Sequence, residues 1–596
     1  MSLDVFNGWM ATLNGVIWHS WVLYAVLATG ILFTIWSGFC QFRALTHGPQ
    51  VIRGGYDDDS DPGAISHFQA LSAALSATVG LGNIAGVAVA IGLGGPGAVF
   101  YMWIVGFVGM ALKTTEVHLA MLHRNTDDPE NPHGGPMFVA SRGFAKLGLA
   151  PVGKALGGVF VVTLLIAAIT GGNMFQAWNV AAVTEDATGL PQLAVGVVLA
   201  AMVALVIIGG VKRIGAVAGR LVPIMVAVYL VATLYVLAVQ IVDVPRMFGL
   251  IFTHAFAPAE TKGAFVGATV GLAFSWGMQR ALFSSESGQG SSPIAHSAAK
   301  TREPVREAVV AGLEPFIDTI VVCTLTALVI LASGAWDRSY EAPFGDSTPR
   351  FVQVGVDDEG TALWSLDGAI GGLARERGRD VGGSTILPAK TFESAGVSGE
   401  WAVNDGVFVV VRVFRGSPGA VSGSALARLQ GIVRGAEGGP AGNDALVVDW
   451  ASIRSAIAPA IERQHNGVYA DYVGGALTTY AFDRVRPGLG TWLVLLASWL
   501  FALSTQISWS YYGEQGIVFL FGERGVMPYK FIYCLLIVIA TLGFIRTDTE
   551  LNNFTNIGTG LMLWANIPIL LVFGPRAMHS IRDYFRRLKA GEFGQE

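Results

Sequence analysis

The chain has 596 residues, of which 52% are hydrophobic and only 14% charged, and its mean hydropathy is +0.53. Soluble domains carry about a quarter charged residues, so this balance describes a polytopic membrane protein. A net charge of -5, with no basic block outside the membrane flanks, excludes nucleic acid as a partner, because phosphate binding needs a concentrated basic surface.

A helix needs about 20 apolar residues to cross a bilayer. Such runs predict eleven transmembrane helices, at 18–40, 67–93, 97–122, 155–182, 192–211, 215–242, 261–283, 304–334, 489–512, 529–546 and 554–574. The start lacks the basic segment and cleavage site of a signal peptide, so the first run is read as a retained helix. With the N-terminus outside, the inner loops and tail hold nineteen Lys and Arg residues and the short outer loops three. The excess of basic residues on one side predicts an N-out, C-in topology. Cys40, Cys323 and Cys534 lie in or at the end of apolar runs, which suits packing rather than disulfides or zinc.

Residues 335–488 break the pattern with 14 Lys/Arg and 18 Asp/Glu. "GVFVVVRVF" (406–414) and "DALVVDW" (444–450), set between Gly, Pro and Ser clusters, predict strands of a small soluble α+β insertion on the outer face. "GGALTTYAF" (474–482) returns to the apolar register, which divides the chain into a membrane domain over 1–334, the insertion over 335–473 and the rest of the membrane domain over 474–596.

Two spans are built to break. "SAALSATVGLGNIAGVAVAI" (72–91) places Gly80, Gly82 and Asn83 mid-run, although each interior glycine costs about 1 kcal/mol relative to alanine. Five spans later "FSWGMQRALFSSESGQGSS" (274–292) shows a comparable interruption. Paired interrupted helices in two halves point to an inverted-repeat transporter, in which unwound turns offer carbonyls to a cation and N–H groups to a carboxylate.

"GLGNIAGVAVAIGLGGPGAVFYMW" (80–103), "GGPMF" (134–138), "GNMFQAWN" (172–179), "RALFSSESGQGSSPIAHSAAKT" (280–301), "FIDTIVVCTLTALVIL" (316–331) and "STQISWSYYGE" (504–514) resemble, in order, the alanine or glycine:cation symporter family. The resemblance covers spans two to nine well, the last two weakly, and not most of 335–473. It implies the leucine-transporter fold group: one extra N-terminal helix followed by a five-plus-five inverted repeat with two broken helices. It further implies sodium-coupled uptake of a small neutral amino acid in a prokaryotic cell membrane. The family's usual "RGLFSNEAG" stands here as "RALFSSESG", with Ala281, Ser285 and Ser287 in place of Gly, Asn and Ala; Ser285 keeps a hydroxyl but loses the amide.

"TVGLGN" (78–83) also resembles the first broken helix of the neurotransmitter:sodium symporters. That pattern implies a sodium site from the backbone around Ser76, Thr78 and Val79, the Asn83 oxygen, and the hydroxyls of Ser504 and Thr505, an all-oxygen set apt for a hard cation. Trp509, one turn beyond Thr505, falls on the same helical face and would wall the substrate. Gln176 and Asn179 are polar residues in an apolar run and so are expected to face a cavity. Thr78, Gly80 and Gly82, with Ser275, Gly277 and Gln279 of the second broken helix, complete the expected substrate contacts. Arg280 and Glu286 are expected to form a gate beside the second unwound turn. Lys113 and Glu116, three apart, are expected to pair, and Asp318 to be a buried carboxylate held by backbone or hydroxyl groups.

Sodium and a small neutral amino acid are therefore the expected partners, with the bilayer as solvent. "GQGSS" is too short for a phosphate loop, so no nucleotide and no other cofactor is inferred. Proton coupling through Asp318, and a sensing protein in which the outer domain captures a ligand, are the alternatives. An enzyme is not expected: the serines of 284–292 lie in no G-x-S-x-G elbow, and His296 is placed in the basic loop beyond the span.

Overall fold

A computed structural model describes residues 3–593, apart from 59, 81, 345–349, 358–359, most of 367–404, 418–419, 436–445, 473 and 544–547. The first broken helix starts at a reciprocal cap, in which Gln69 N donates to Ser66 Oγ (3.3 Å) and Ser66 N to Gln69 Oε1 (3.0 Å). It runs His67–Thr78, leaves the helical path at Val79, makes a π turn over Gly82–Gly86 and resumes as Val87–Gly94 at a bend of 53°. The second broken helix is capped by Thr269 and runs Val270–Ser285. It stops at Glu286, which takes the left-handed conformation (φ 50°), and continues as the short helix Ser292–His296. The break therefore falls at 286–291, at the C-terminal end of the stretch in which it was expected.

Among the described residues seven helices are long and apolar enough to cross a membrane: Thr12–Trp36, Ala98–His123, Ala150–Glu185, Gly210–Val239, Pro304–Ala332, Leu489–Phe521 and Thr555–Lys589. The bent pair makes an eighth. The other three expected runs hold shorter helices, Gln192–Ile207, Val270–Ser285 and Val526–Ala540. Two of the long helices contain their own π turns, Thr170–Met174 and Phe316–Val322. One extra residue per turn frees local carbonyls, which is why π turns gather at functional sites.

The described part of the insertion is β-rich rather than α+β; a three-residue 3-10 turn, Arg463–His465, is its only helical element among those residues. Gly406–Ser417 and Ala420–Gly435 form a long antiparallel hairpin, extended by Leu446–Trp450 on one side and Gly467–Ala470 on the other. Period-two alternation gives the first strand two buried faces. Val407, Val409 and Val411 enter the insertion's own core with Leu429 and Trp450, while Phe408 and Val410 pack with Ala264 of the membrane domain. Arg428 fixes this contact by donating to the Ala264 carbonyl at 2.8 Å.

Candidate functional site

In an unbroken helix the carbonyl of Ser76 would accept the amide of residue 80. Here Gly80 N donates instead to Asn83 Oδ1 at 2.8 Å, and the Ser76 carbonyl is released from the helical ladder. It meets the hydroxyls of Thr505 (3.2 Å) and Ser504 (3.3 Å), while Ser76 Oγ donates to the Ser504 carbonyl at 2.6 Å. Ser76, Ser504 and Thr505 are thus brought together in a buried oxygen cluster with no cation side chain in it. Asn83 stands beside the cluster rather than in it: its amide donates to Ser284 Oγ (2.8 Å) and to the Asp318 carbonyl (2.9 Å), so both ends of the side chain hold the break open. Thr78 Oγ1 leans back to the Ala74 carbonyl, and Val79, extended, ends the helix.

Next to these oxygens lies a cavity of about 40 Å³. Thr78, Gly80 and Gly82 form one wall, Gln176 and Trp509 another, and Glu286, Gln289, Phe283 and Thr505 close it. Trp509 reaches this position because Gly172 lacks a side chain; a Cβ there would stand 2.4 Å from Trp509 Cβ. Several polar atoms around the cavity are buried with no partner. The oxygens of Gln176 and Gln289 accept nothing, although their amides donate to the carbonyls of Gly171 (3.1 Å) and Leu282 (2.9 Å), and the Thr555 hydroxyl is likewise unpaired. Buried polar groups are normally satisfied, so these three atoms leave the cavity with unused hydrogen-bonding capacity. Gln289, Thr555 and Thr559 were not expected here. The helix carrying the threonines showed only the weak end of the family pattern, and Gln289 lay inside a Gly/Ser run that reads as a turn.

Glu286 is not at the membrane edge. It lines the central cavity, accepts a hydrogen bond from Ser291, and is 4% exposed. Arg280 faces a different cavity, and no ion pair links it to Glu286. Behind Glu286 runs a chain of buried ionisable groups: His67 bonds Glu307, Glu307 bonds His296, His296 Nε2 reaches Glu314 at 2.5 Å, and Glu314 reaches Lys113 at 3.4 Å. His296 is therefore not in an exposed basic loop; it is wholly buried between two carboxylates. Lys113 pairs across helices with Glu314 rather than with Glu116, whose carboxylate turns instead toward the C-terminal helix and accepts from Asn566 at 2.6 Å. Asp318 accepts from the hydroxyls of Thr319 (2.8 Å) and Ser284 (3.4 Å) within the π turn.

Four expected contacts lie elsewhere. Asn179 donates to the Phe175 carbonyl along its own helix (2.7 Å) and is not a cavity residue. Gly277 packs the second broken helix against Ala98, whose carbonyl would stand 2.3 Å from an added Cβ. Gln279 lines the Arg280 cavity, and Ser275 lines neither. Of the replaced residues, Ser285 Oγ accepts the Ser287 amide at 3.3 Å, Ala281 is fully buried, and the Ser287 hydroxyl is buried without a partner. A larger groove of about 560 Å³ among Ala227, Val231, Leu489 and Leu493 is mainly apolar, with Tyr235 and Arg486 also lining it.

The sequence pattern of the sodium:alanine symporter family matches residues 3–351 and 447–595. A sodium/alanine symporter of Methanococcus maripaludis is 44% identical over 323 residues, covering 54% of this chain and 70% of its own. A protein of Bacillus subtilis named as a putative sodium/proton-dependent alanine carrier is 28% identical over 583 residues, covering 98% of this chain and 93% of its own. Another from that organism, named as a probable sodium/glutamine symporter, is 34% identical over 323 residues, covering 54% of this chain and 65% of its own. With these matches spanning both broken helices and both sides of the insertion, the chain is a multi-pass membrane protein that belongs to the sodium:alanine symporter family, a family of secondary transporters and not of enzymes.

Proposed function

We propose that the protein carries a small neutral amino acid, alanine first, together with sodium, by alternating access around the two broken helices. The observation that supports this most is the released Ser76 carbonyl facing the Ser504 and Thr505 hydroxyls beside a cavity rimmed by unpaired polar atoms. Sodium is taken by that oxygen cluster, with the backbone of Thr78 and Val79 supplying further carbonyls and Asn83 keeping the turn open. The substrate's carboxylate lies against the backbone at Gly82, and its ammonium takes the oxygens of Gln176, Gln289 and Glu286. A cavity of about 40 Å³ walled by Trp509 and Phe283 suits the smallest side chains, since one water needs about 10–15 Å³ on the same measure.

Eleven crossings, with the seven long helices and the bent pair joined by the three shorter ones, fit one additional helix and a five-plus-five inverted repeat. The nineteen-to-three bias of basic residues supports an outside N-terminus, an outside insertion and a cytoplasmic C-terminus. The test is uptake of labelled alanine into liposomes holding the purified protein, with an inward sodium gradient and then an equal potassium gradient. Uptake that requires sodium is expected. Equal uptake in potassium with an inward proton gradient would replace sodium by proton coupling, and no alanine uptake would overturn the substrate.

A further inference from the structure

Beside the central cavity, with Phe283 between them, lies a second chamber of about 200 Å³, bounded by Asn14, Trp18, Gln279, Arg280 and Phe283. Arg280 is its chemical centre. The Nε atom is shut off from solvent and has no hydrogen-bond acceptor, and no carboxylate among the described residues forms an ion pair with the guanidinium, which rests 5.5 Å from the centre of the Trp276 ring. Arg280 as a whole is half-buried, and a partly desolvated cation without a counter-charge is stabilised when something anionic joins it. Across the same chamber Asn14 commits its amide nitrogen to Asn553 (3.0 Å), leaving Asn14 Oδ1 buried with no donor. The chamber thus offers an unpaired planar cation and an unpaired carbonyl oxygen, a complementary pair for a carboxylate and an ammonium. Only Phe283 is common to the two cavities, and its ring stands against Gly82, where an added Cβ would come within 3.3 Å.

We propose that this chamber is a second amino-acid site, an antechamber in which Arg280 holds the carboxylate and Asn14 the ammonium of a small zwitterion before it passes Phe283 into the central cavity. The proposal rests on the transport reading above but is separable from it, because the antechamber is reached by a ligand that the central site does not need. That probe is propionate, which has the carboxylate of alanine and no ammonium. Propionate is expected to raise the apparent KM for sodium-driven alanine uptake in the wild type and to lose this effect in Arg280→Gln. Arg280→Lys, which keeps the charge, retains part of the effect and shows that the variant folds. Gln176→Ala, altered only in the central cavity, stays propionate-sensitive at its own residual rate. If Arg280→Gln remained as sensitive as the wild type, propionate would be acting at the central cavity and the antechamber would be discarded; insensitivity of the wild type would discard it equally. Should no alanine uptake be found at all, calorimetric titration of propionate onto the purified protein still decides. Heat in the wild type and none in Arg280→Gln supports the site, whereas no heat in the wild type, or equal heat in both, overturns it. Chloride at the same concentration serves as the second arm, and inhibition equal to that of propionate would make this a simple anion site rather than an amino-acid site.

Discussion

Thr505 shows how a single backbone event shapes a candidate site. Its hydroxyl has a role only because the Gly80 amide has turned to Asn83 and left the Ser76 carbonyl free. Removing one ligand oxygen from a cation forfeits about 1.5–3 kcal/mol, and 1.4 kcal/mol is tenfold in affinity. Thr505→Ala is therefore expected to raise the sodium concentration for half-maximal uptake about tenfold or more, with the alanine KM at saturating sodium little changed. Asn83→Ala should be more damaging than Thr505→Ala, since it removes the partner of the Gly80 amide and two further bonds to Ser284 and Asp318 at once. Gly172→Ala would place a Cβ 2.4 Å from Trp509. Overpacking of this kind costs about 1–3 kcal/mol, and the displaced indole should abolish uptake while protein yield in the membrane persists.

At the level of elements, the second broken helix is held by charge. Its short continuation Ser292–His296 is tied to the Pro304–Ala332 helix by Ser292 to Glu314 (2.7 Å) and by His296 to both Glu307 and Glu314. The first broken helix reaches the same carboxylate pair through His67. Removing one partner of a buried pair leaves an uncompensated charge, worth about 3–5 kcal/mol. Glu314→Gln should thus lower the melting temperature of the purified protein strongly, and the double variant Lys113→Met with Glu314→Gln should recover part of the loss. Recovery would be absent if Lys113 drew its stabilisation from Glu116. The spacing of Lys113 and Glu116 on one helix face was legible in the sequence; the cross-helix partner was not, because Glu314 lies 201 residues further on and joins it only in the packed bundle.

For the whole molecule, the β-rich segment interrupts the stretches that carry the family pattern. The family pattern stops at 351 and resumes at 447, and the insertion touches the membrane domain through Phe408 and Arg428 against Ala264 and, near its two ends, through the Lys262–Asp337 pair and the Tyr472–Tyr480 stack. Replacing 352–446 by a short flexible linker is expected to leave sodium-driven alanine uptake intact; its loss would assign the insertion a part in transport. The strands at 406–414 and 446–450 were foreseen from β-branched runs between turn residues, whereas an α component was not found among the described residues.

The sequence by itself determined the membrane class, the stretches that hold the apolar helices, the break in the first glycine-interrupted span and the family, because hydropathy, glycine placement and local motifs are properties of neighbouring residues. It also pointed to Gln176, Thr505 and Trp509, which line one cavity, and to Ser76 and Ser504, whose oxygens meet beside it. Only the tertiary structure decided that Asn179, Ser275 and Gly277 stand away from that cavity, that Glu286 lies at its wall, that His296 is buried in a carboxylate pair, and that Arg280 faces a chamber of its own. The physical reason is the same in each case. A broken helix changes the direction of every side chain beyond the break, so helical periodicity no longer reports which face meets which neighbour, and partners hundreds of residues apart are chosen by packing rather than by spacing.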